Sequence, residues 1–343
     1  MKYKCILPAL AAAALLSACG GGTSTSTSTT TGGSTSTGGS TSTGGSTTTT
    51  TLADASRAYS GNRNLASLNA VNSLAFVDLV YGTGSLNANL AARPQDAATD
   101  GAGSATGNLF QPQWALARLA ATTINRQLYQ ARTFNMQEAC PDGGTISASG
   151  DLSDTSFTGT LQVVYSQCNN DGVVVNGSGL LVIHGFNLLQ QAPTAYTISM
   201  NGLGVRIDDV PYSLTGTLRA DLNFDTGQET LTINEHQRNM STGQQQLAEN
   251  VQMALAASGE TTISGKFCEG TQGCVNVSTV SPFLIDAAGV PLTGEMLMAG
   301  ASGSKTQVIA EGYDYSTTPA QPRMQVNVDA NGDGAYETFM TVP

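Results

Sequence analysis

The run Leu214-Thr215-Gly216-Thr217-Leu218-Arg219-Ala220-Asp221-Leu222-Asn223-Phe224 alternates apolar or small residues with polar ones from end to end. Successive side chains of a strand point to opposite faces, so this run offers one face to a core and one to water, as in an antiparallel sheet. The same period recurs on either side of it. Phe157, Gly159, Leu161, Val163 and Tyr165 alternate with Thr158, Thr160, Gln162 and Val164. In Ile198, Met200, Leu203, Val205 and Ile207 the apolar parity switches at Gly202, which predicts a β-bulge that bends the sheet.

Between these runs lie tight-turn signals: Asn170-Asp171-Gly172, Asp225-Thr226-Gly227, Ala288-Gly289 and Asn331-Gly332-Asp333-Gly334. Strands joined in this way form a meander of hairpins. A short phrase also recurs, as Phe157-Thr158-Gly159-Thr160-Leu161, Leu214-Thr215-Gly216-Thr217-Leu218 and Leu292-Thr293-Gly294-Glu295-Met296. Its spacing is unequal, so it is no solenoid repeat; a Gly at the same place in three strands suits a tightly coiled or closing sheet. A meander of about ten to thirteen strands must close or fold over to hide its edges and apolar face. The expected fold is therefore mainly β with a small N-terminal helical part, an antiparallel meander closing into a barrel or half-barrel, with a twisted sandwich as the alternative. The outward positions carry too many Thr, Asn, Asp and Gln for the lipid-facing band of an outer-membrane pore.

Ahead of the strands, in residues 52–135, the apolar spacing is helical. Leu65, Leu68, Ala75 and Leu79 share a face of a first segment, with Asn62 or Asn64 as caps, and Leu116, Leu119, Ala120, Ile124 and Leu128 share a stripe of a second that opens near Pro112. Gly82 to Gly107 reads as a long loop. Two such helices cannot bury their stripes alone and should pack on the β domain, residues 136–343, with Trp114 as a docking anchor. Residues 19–51 are a tether. The hexad Gly-Gly-Ser-Thr-Ser-Thr occurs at Gly32 to Thr37 and again at Gly38 to Thr43, and a chain of this composition cannot bury enough apolar surface to order itself. Its mean reach as a flexible coil is roughly 30 Å.

The N-terminus, residues 1–18, has the parts of an export signal: Lys2 and Lys4, the apolar run Ile6 to Leu16, and small residues before a cleavage point. The apolar run falls short of the ~20 residues that span a bilayer. Leu16-Ser17-Ala18-Cys19 resembles the lipobox of bacterial lipoproteins. The resemblance implies a diacylglycerol on the Cys19 sulfur, an acyl chain such as palmitate on its nitrogen after cleavage, and anchoring in the cell envelope. Gly20 follows in place of the Asp that holds similar proteins at the inner membrane, which favours the outer membrane. Three acyl chains anchor firmly, since each buried CH₂ contributes roughly 0.8 kcal/mol.

Only 11% of residues are charged, and the formal net charge is −11; it becomes two units more negative when Lys2 and Lys4 leave with the signal. A field of that sign repels nucleic acid and tolerates cations or basic partners. Cys5 leaves with the signal and Cys19 takes the lipid. The remaining four cysteines suit an oxidising compartment, and proximity along a meander pairs Cys140 with Cys168 and Cys268 with Cys274. Loop entropy assigns these bonds about 3.5 and about 2.4 kcal/mol.

The nearest thing to a chemical motif is Asp329-Ala330-Asn331-Gly332-Asp333-Gly334-Ala335-Tyr336-Glu337. Oxygen ligands at alternate positions before a Gly resemble the first half of a calcium loop of the EF-hand or dockerin kind. Met340 occupies the position of the bidentate carboxylate, and the flanks read as strands. The alternatives are an acidic hairpin turn and a weak calcium site formed by Asp329, Asn331, Asp333 and Glu337. His236 shares parity with Thr230, Thr232 and Asn234, a wet face, while His184 follows Leu180 and Val182 and reads as half-buried. Asp208 and Asp209 are adjacent and would point apart, and no Gly-x-Ser-x-Gly elbow is present. The expectation is a non-catalytic envelope lipoprotein that requires no cofactor and whose β domain binds a partner protein, a glycan or a surface. The alternative is a lipid carrier with Leu161, Val163, Ile183, Leu218, Leu222 and Phe224 lining a cavity. An envelope hydrolase ranks third.

Overall fold

Residues 212–220 alternate buried and partly exposed or exposed positions without a break, with Leu214, Leu218 and Ala220 fully enclosed. This strand is the sixth of fourteen in one antiparallel sheet. The computed structural model describes residues 54–81, 133–170, 172–190, 192–207, 209–285, 291–316 and 321–342. The signal, the tether, the loop 82–107 and the segment around Trp114 lie outside the described residues.

The strands are β1 (Thr133–Ala139), β2 (Thr145–Leu152), β3 (Gly159–Asn170), β4 (Val173–Asn187), β5 (Ala192–Ile207), β6 (Val210–Asn223) and β7 (Gln228–Asn239). They continue as β8 (Gln245–Leu255), β9 (Glu260–Glu269), β10 (Gly273–Ile285), β11 (Pro291–Ala299), β12 (Lys305–Asp314), β13 (Gln321–Asp329) and β14 (Thr338–Val342). Spatial order equals chain order, so the sheet is a pure meander, one strand longer than the upper expectation, with β1 and β14 as its edges. It is not closed among the described residues, which leaves the half-barrel or the sandwich of the expected forms. β1 starts at Thr133, ahead of the expected start of the β domain at residue 136.

Register carries one face of the sheet inward. Leu161, Leu181, Ile198, Leu218, Ile233 and Val251 lie opposite one another in turn from β3 to β8, and each is at most 2% exposed. The sheet curls around helix α2 (Ala70–Tyr81), which touches both β9 and β13. Phe76, Val77, Leu79 and Val80 share one core with the sheet, and the Ser73 hydroxyl meets that of Thr306 at 2.7 Å, both buried. Among the described residues α2 therefore has no core apart from that of the sheet.

Two local devices bend the sheet. Gly202 has φ 68° and the β5–β6 register shifts between Asn201 and Leu203, which is the bulge that the parity switch predicts. The recurring glycines Gly159, Gly216 and Gly294 all have positive φ, at 153°, 143° and 135°. A Cβ at Gly216 would lie 2.0 Å from the Asn234 carbonyl oxygen, and one at Gly294 2.4 Å from Phe283 Cδ1. The repeated phrase thus marks strands that approach their neighbours through a backbone only Gly adopts readily.

The first helix departs from expectation. Leu65 and Leu68 are not helical: Asn64–Ala66 is extended, with the Ala66 N–H donating to the Cys274 carbonyl and the Cys274 N–H to the Asn64 carbonyl, both at 2.8 Å. Asn69, not Asn62 or Asn64, caps α2. Its side chain accepts from the Val71 and Asn72 amides, and the Asn72 Oδ1 in turn accepts from the Asn69 amide. A reciprocal cap at Asn69 and ladder bonds to β10 outweigh the helical spacing of the leucines. Before it lies α1 (Ala55–Ala58), capped by Asp54 and packed on β6, β7 and β8.

Candidate functional site

The N-terminal segment forms a strap on the outer face of the sheet before the chain passes over the rim into α2. Tyr59, Ala55, Leu247, Cys268 and Cys274 make a small second core beneath it. Arg63 stacks 5.3 Å over the Tyr59 ring and pairs with Glu249 at 3.3 Å, while Lys266 meets the other oxygen of Glu249 at 3.0 Å. Burial alone would raise the Glu249 pKa, but hydrogen bonds from Lys266 and Ser56 and the charges of Lys266 and Arg63 hold it below the usual carboxylate range. Burial pushes the Tyr59 phenol up to about 12.

His236 lies under this strap and not on a wet face. It is 7% exposed, its Nε2 is 3.1 Å from Gln245 Oε1, and its ring meets Tyr59 edge-on at 5.9 Å. Burial first, and the Arg238 charge with it, lower its pKa against the hydrogen bond to Gln245. His184 is exposed, with Nε2 2.8 Å from Thr197 Oγ1, and burial of the ring followed by the Arg219 charge lowers its pKa too. The two histidines stand on β4 and β7 with separate partners, so they form no acid–base pair. Asp209 has φ 63° and points to solvent beside Arg206; Asp208 lies outside the described residues.

The four cysteines of the β domain are bonded as spacing predicts, Cys140 to Cys168 and Cys268 to Cys274. The first closes the β1–β2 turn onto the end of β3, and the second links directly opposite residues of β9 and β10. Cys19 lies outside the described residues.

The acidic loop between β13 and β14 brings Asp329, Asp333 and Glu337 together, with one oxygen of each inside 4.8 Å of the others. Asp329 is 1% exposed, and its two oxygens accept from the Gly332 and Gly334 amides at 2.7 and 2.9 Å. Glu337 Oε2 accepts from the Ala330 amide. Asn331 is tied to Asp333 twice, its Oδ1 accepting from the Asp333 amide and its Nδ2 donating to Asp333 Oδ2. The three carboxylates thus shape the turn through backbone N–H groups and keep lone pairs for a hard cation.

On the outer face, Thr197, Arg219, Thr232, Gln252 and Ser264 lie in one row across β5 to β9. Ser199, Thr217 and Asn234 make a parallel row. Arg219 is held by both oxygens of Asp221, at 2.7 and 2.8 Å. Thr197 and Ser199 are buried at the β5 end of these rows, while Thr217, Thr232, Asn234, Gln252 and Ser264 reach solvent, so this surface offers neutral donors and acceptors beside charges that are paired among themselves. Sequence reasoning missed the buried carboxylates Glu229 and Glu235 on the inner face of β7, at 7% and 0% exposure. Their shared parity with Leu231 and Ile233 is the signal that places them there.

Comparisons of this chain with protein-family models, curated proteins and solved structures find no match.

Proposed function

We propose that this protein is an envelope lipoprotein, anchored in the outer membrane through acyl chains on Cys19, whose open β-sheet is a non-catalytic module binding a glycan, a partner or a surface. The observation that carries the reading is the outer face, where rows of hydroxyl and amide side chains run from β5 to β9. Such a face gives many neutral hydrogen bonds and little charge to desolvate, which suits a polyhydroxyl ligand or a polar protein surface. A glycan array probed with the soluble protein lacking residues 1–19 tests it: retained binding lost on Thr232→Glu or Gln252→Glu supports the reading, and binding unchanged by both rejects this face.

The carrier reading has less support. Leu161, Val163, Ile183 and Leu218 belong to the packed core and Leu222 packs against it, so these side chains contact one another where a carrier needs space. Organic extraction of the purified protein that releases lipid in stoichiometric amount would restore it. For the acidic loop the reading is a weak calcium site, millimolar as in extracellular modules. Millimolar calcium should then raise the melting temperature, and Asp333→Ala should abolish the rise; an unchanged melting curve leaves Asp329 to Glu337 as a turn.

A further inference from the structure

Three Asn-Gly steps occur in the chain: Asn176-Gly177, Asn201-Gly202 and Asn331-Gly332. In such a step the glycine amide nitrogen can attack the asparagine Cγ, because no side chain on the following residue blocks the approach. The first two steps are locked in strands. Asn176 pairs with Gly204 and Gly177 with Tyr165; Asn201 pairs with Thr215, whose hydroxyl accepts from the Gly202 amide at 3.0 Å. The third stands outside the ladder, in the turn between β13 and β14, with Asn331 exposed.

The groups around Asn331 match what ring closure needs. Asp329 Oδ1 accepts from the Gly332 N–H, the attacking nitrogen, at 2.7 Å. The Asp333 N–H donates to Asn331 Oδ1, where negative charge develops, at 2.8 Å. Asp333 Oδ2 receives the Asn331 Nδ2–H, on the departing nitrogen, at 3.2 Å. A base at the nucleophile, a donor at the oxyanion and a carboxylate at the leaving group are therefore set in one turn.

We propose that Asn331 is a spontaneous deamidation site whose succinimide closure is assisted by Asp329 and Asp333. The Gly332 nitrogen bonds to Asn331 Cγ and loses its proton to Asp329; the Cγ–Nδ2 bond breaks, and the nitrogen leaves as ammonia with a proton relayed through the carboxylates. Water then opens the ring at either carbonyl, giving aspartate or isoaspartate with no oxidant or reductant. Aspartate adds a fourth carboxylate beside Asp329, Asp333 and Glu337. Isoaspartate lengthens the backbone between β13 and β14 and loosens the edge hairpin closed by Val328 and Thr338. The site does not depend on the glycan or partner reading of the outer face, and it belongs to the calcium-free loop, since Asp329, Asn331 and Asp333 are among the residues that would hold that ion.

The test is incubation of the mature protein in chelator-treated buffer at neutral pH and physiological temperature, followed by chymotryptic peptide mapping, which places the three asparagines on separate peptides and separates aspartate from isoaspartate. Asn331 is expected to convert several-fold faster than Asn176 and Asn201, and Asp329→Ala to slow it several-fold while the other two rates stay fixed. Should the variant lose its fold, those two rates would rise and report it, and the wild-type ranking still decides the site. A rate at Asn331 no higher than at Asn201 overturns the site. An unchanged or faster Asn331 rate in folded Asp329→Ala overturns the role given to that carboxylate.

Discussion

His236 shows how one position on a polar strand face becomes a titrating element once another segment covers it. Burial lowers its folded pKa below the ordinary 6.5. The folded state then binds fewer protons than the unfolded chain at mildly acidic pH, so this contribution to stability is complete above the unfolded pKa and is lost as pH falls through the folded one. Urea unfolding at neutral pH and at pH near 5 should show a loss of stability on acidification, and His236→Gln should flatten it. His184 shifts the same way, so His184→Gln is the control that separates the buried ring from the exposed one. Gly294 makes a different single-residue demand: with φ 135° and Phe283 where its Cβ would stand, Gly294→Ala should cost about 2 kcal/mol in chemical denaturation.

At the scale of elements, the strap and the α2 cap decide how the N-terminal part is held. Asn69→Ala removes acceptors for two orphan amides and should destabilise by about 1 kcal/mol. Tyr59 is 3% exposed and closes over the Cys268–Cys274 bond, so Tyr59→Ala should cost about 3 kcal/mol and make that disulfide reducible at lower thiol concentration; unchanged reduction would show that the strap does not shield it. The strands were legible because each face of a meander repeats a period of two, and Gly202 was legible because a bulge must break that period. Leu65 and Leu68 misled because two leucines at helical spacing say nothing of the Cys274 ladder that captures the segment. His236 misled for the same reason, since parity gives the face of a strand but not what is laid upon that face. The acidic loop was legible as a cluster, whereas its internal bonds, which turn Asp329 inward onto two amides, follow from backbone path alone.

For the whole molecule, every strand pairs with its neighbours in sequence, so the sheet can assemble hairpin by hairpin at low loop-closure cost. What such a sheet lacks is cover for its inner face. β9 and β13 curl around α2, and Phe76 and Val77 are buried at 1% and 0% against the sheet. The larger of the two cores is therefore completed by residues that precede the first strand by more than fifty positions, and its closure is the non-local step. A chain beginning at Thr133 should keep the far-ultraviolet signature of the meander yet bind a hydrophobic dye and lose its cooperative melting transition, because apolar side chains of the inner face would meet water. Full cooperativity in that chain would mean that the sheet closes its own core and that α2 is only a cover. The disulfides set the other end of this balance: Cys140–Cys168 holds three strands at the β1 edge, and Cys140→Ser with Cys168→Ser should cost about 3.5 kcal/mol, read as an earlier urea midpoint with a steeper slope, since an unfolded chain freed of the bond is less compact and exposes more surface on unfolding.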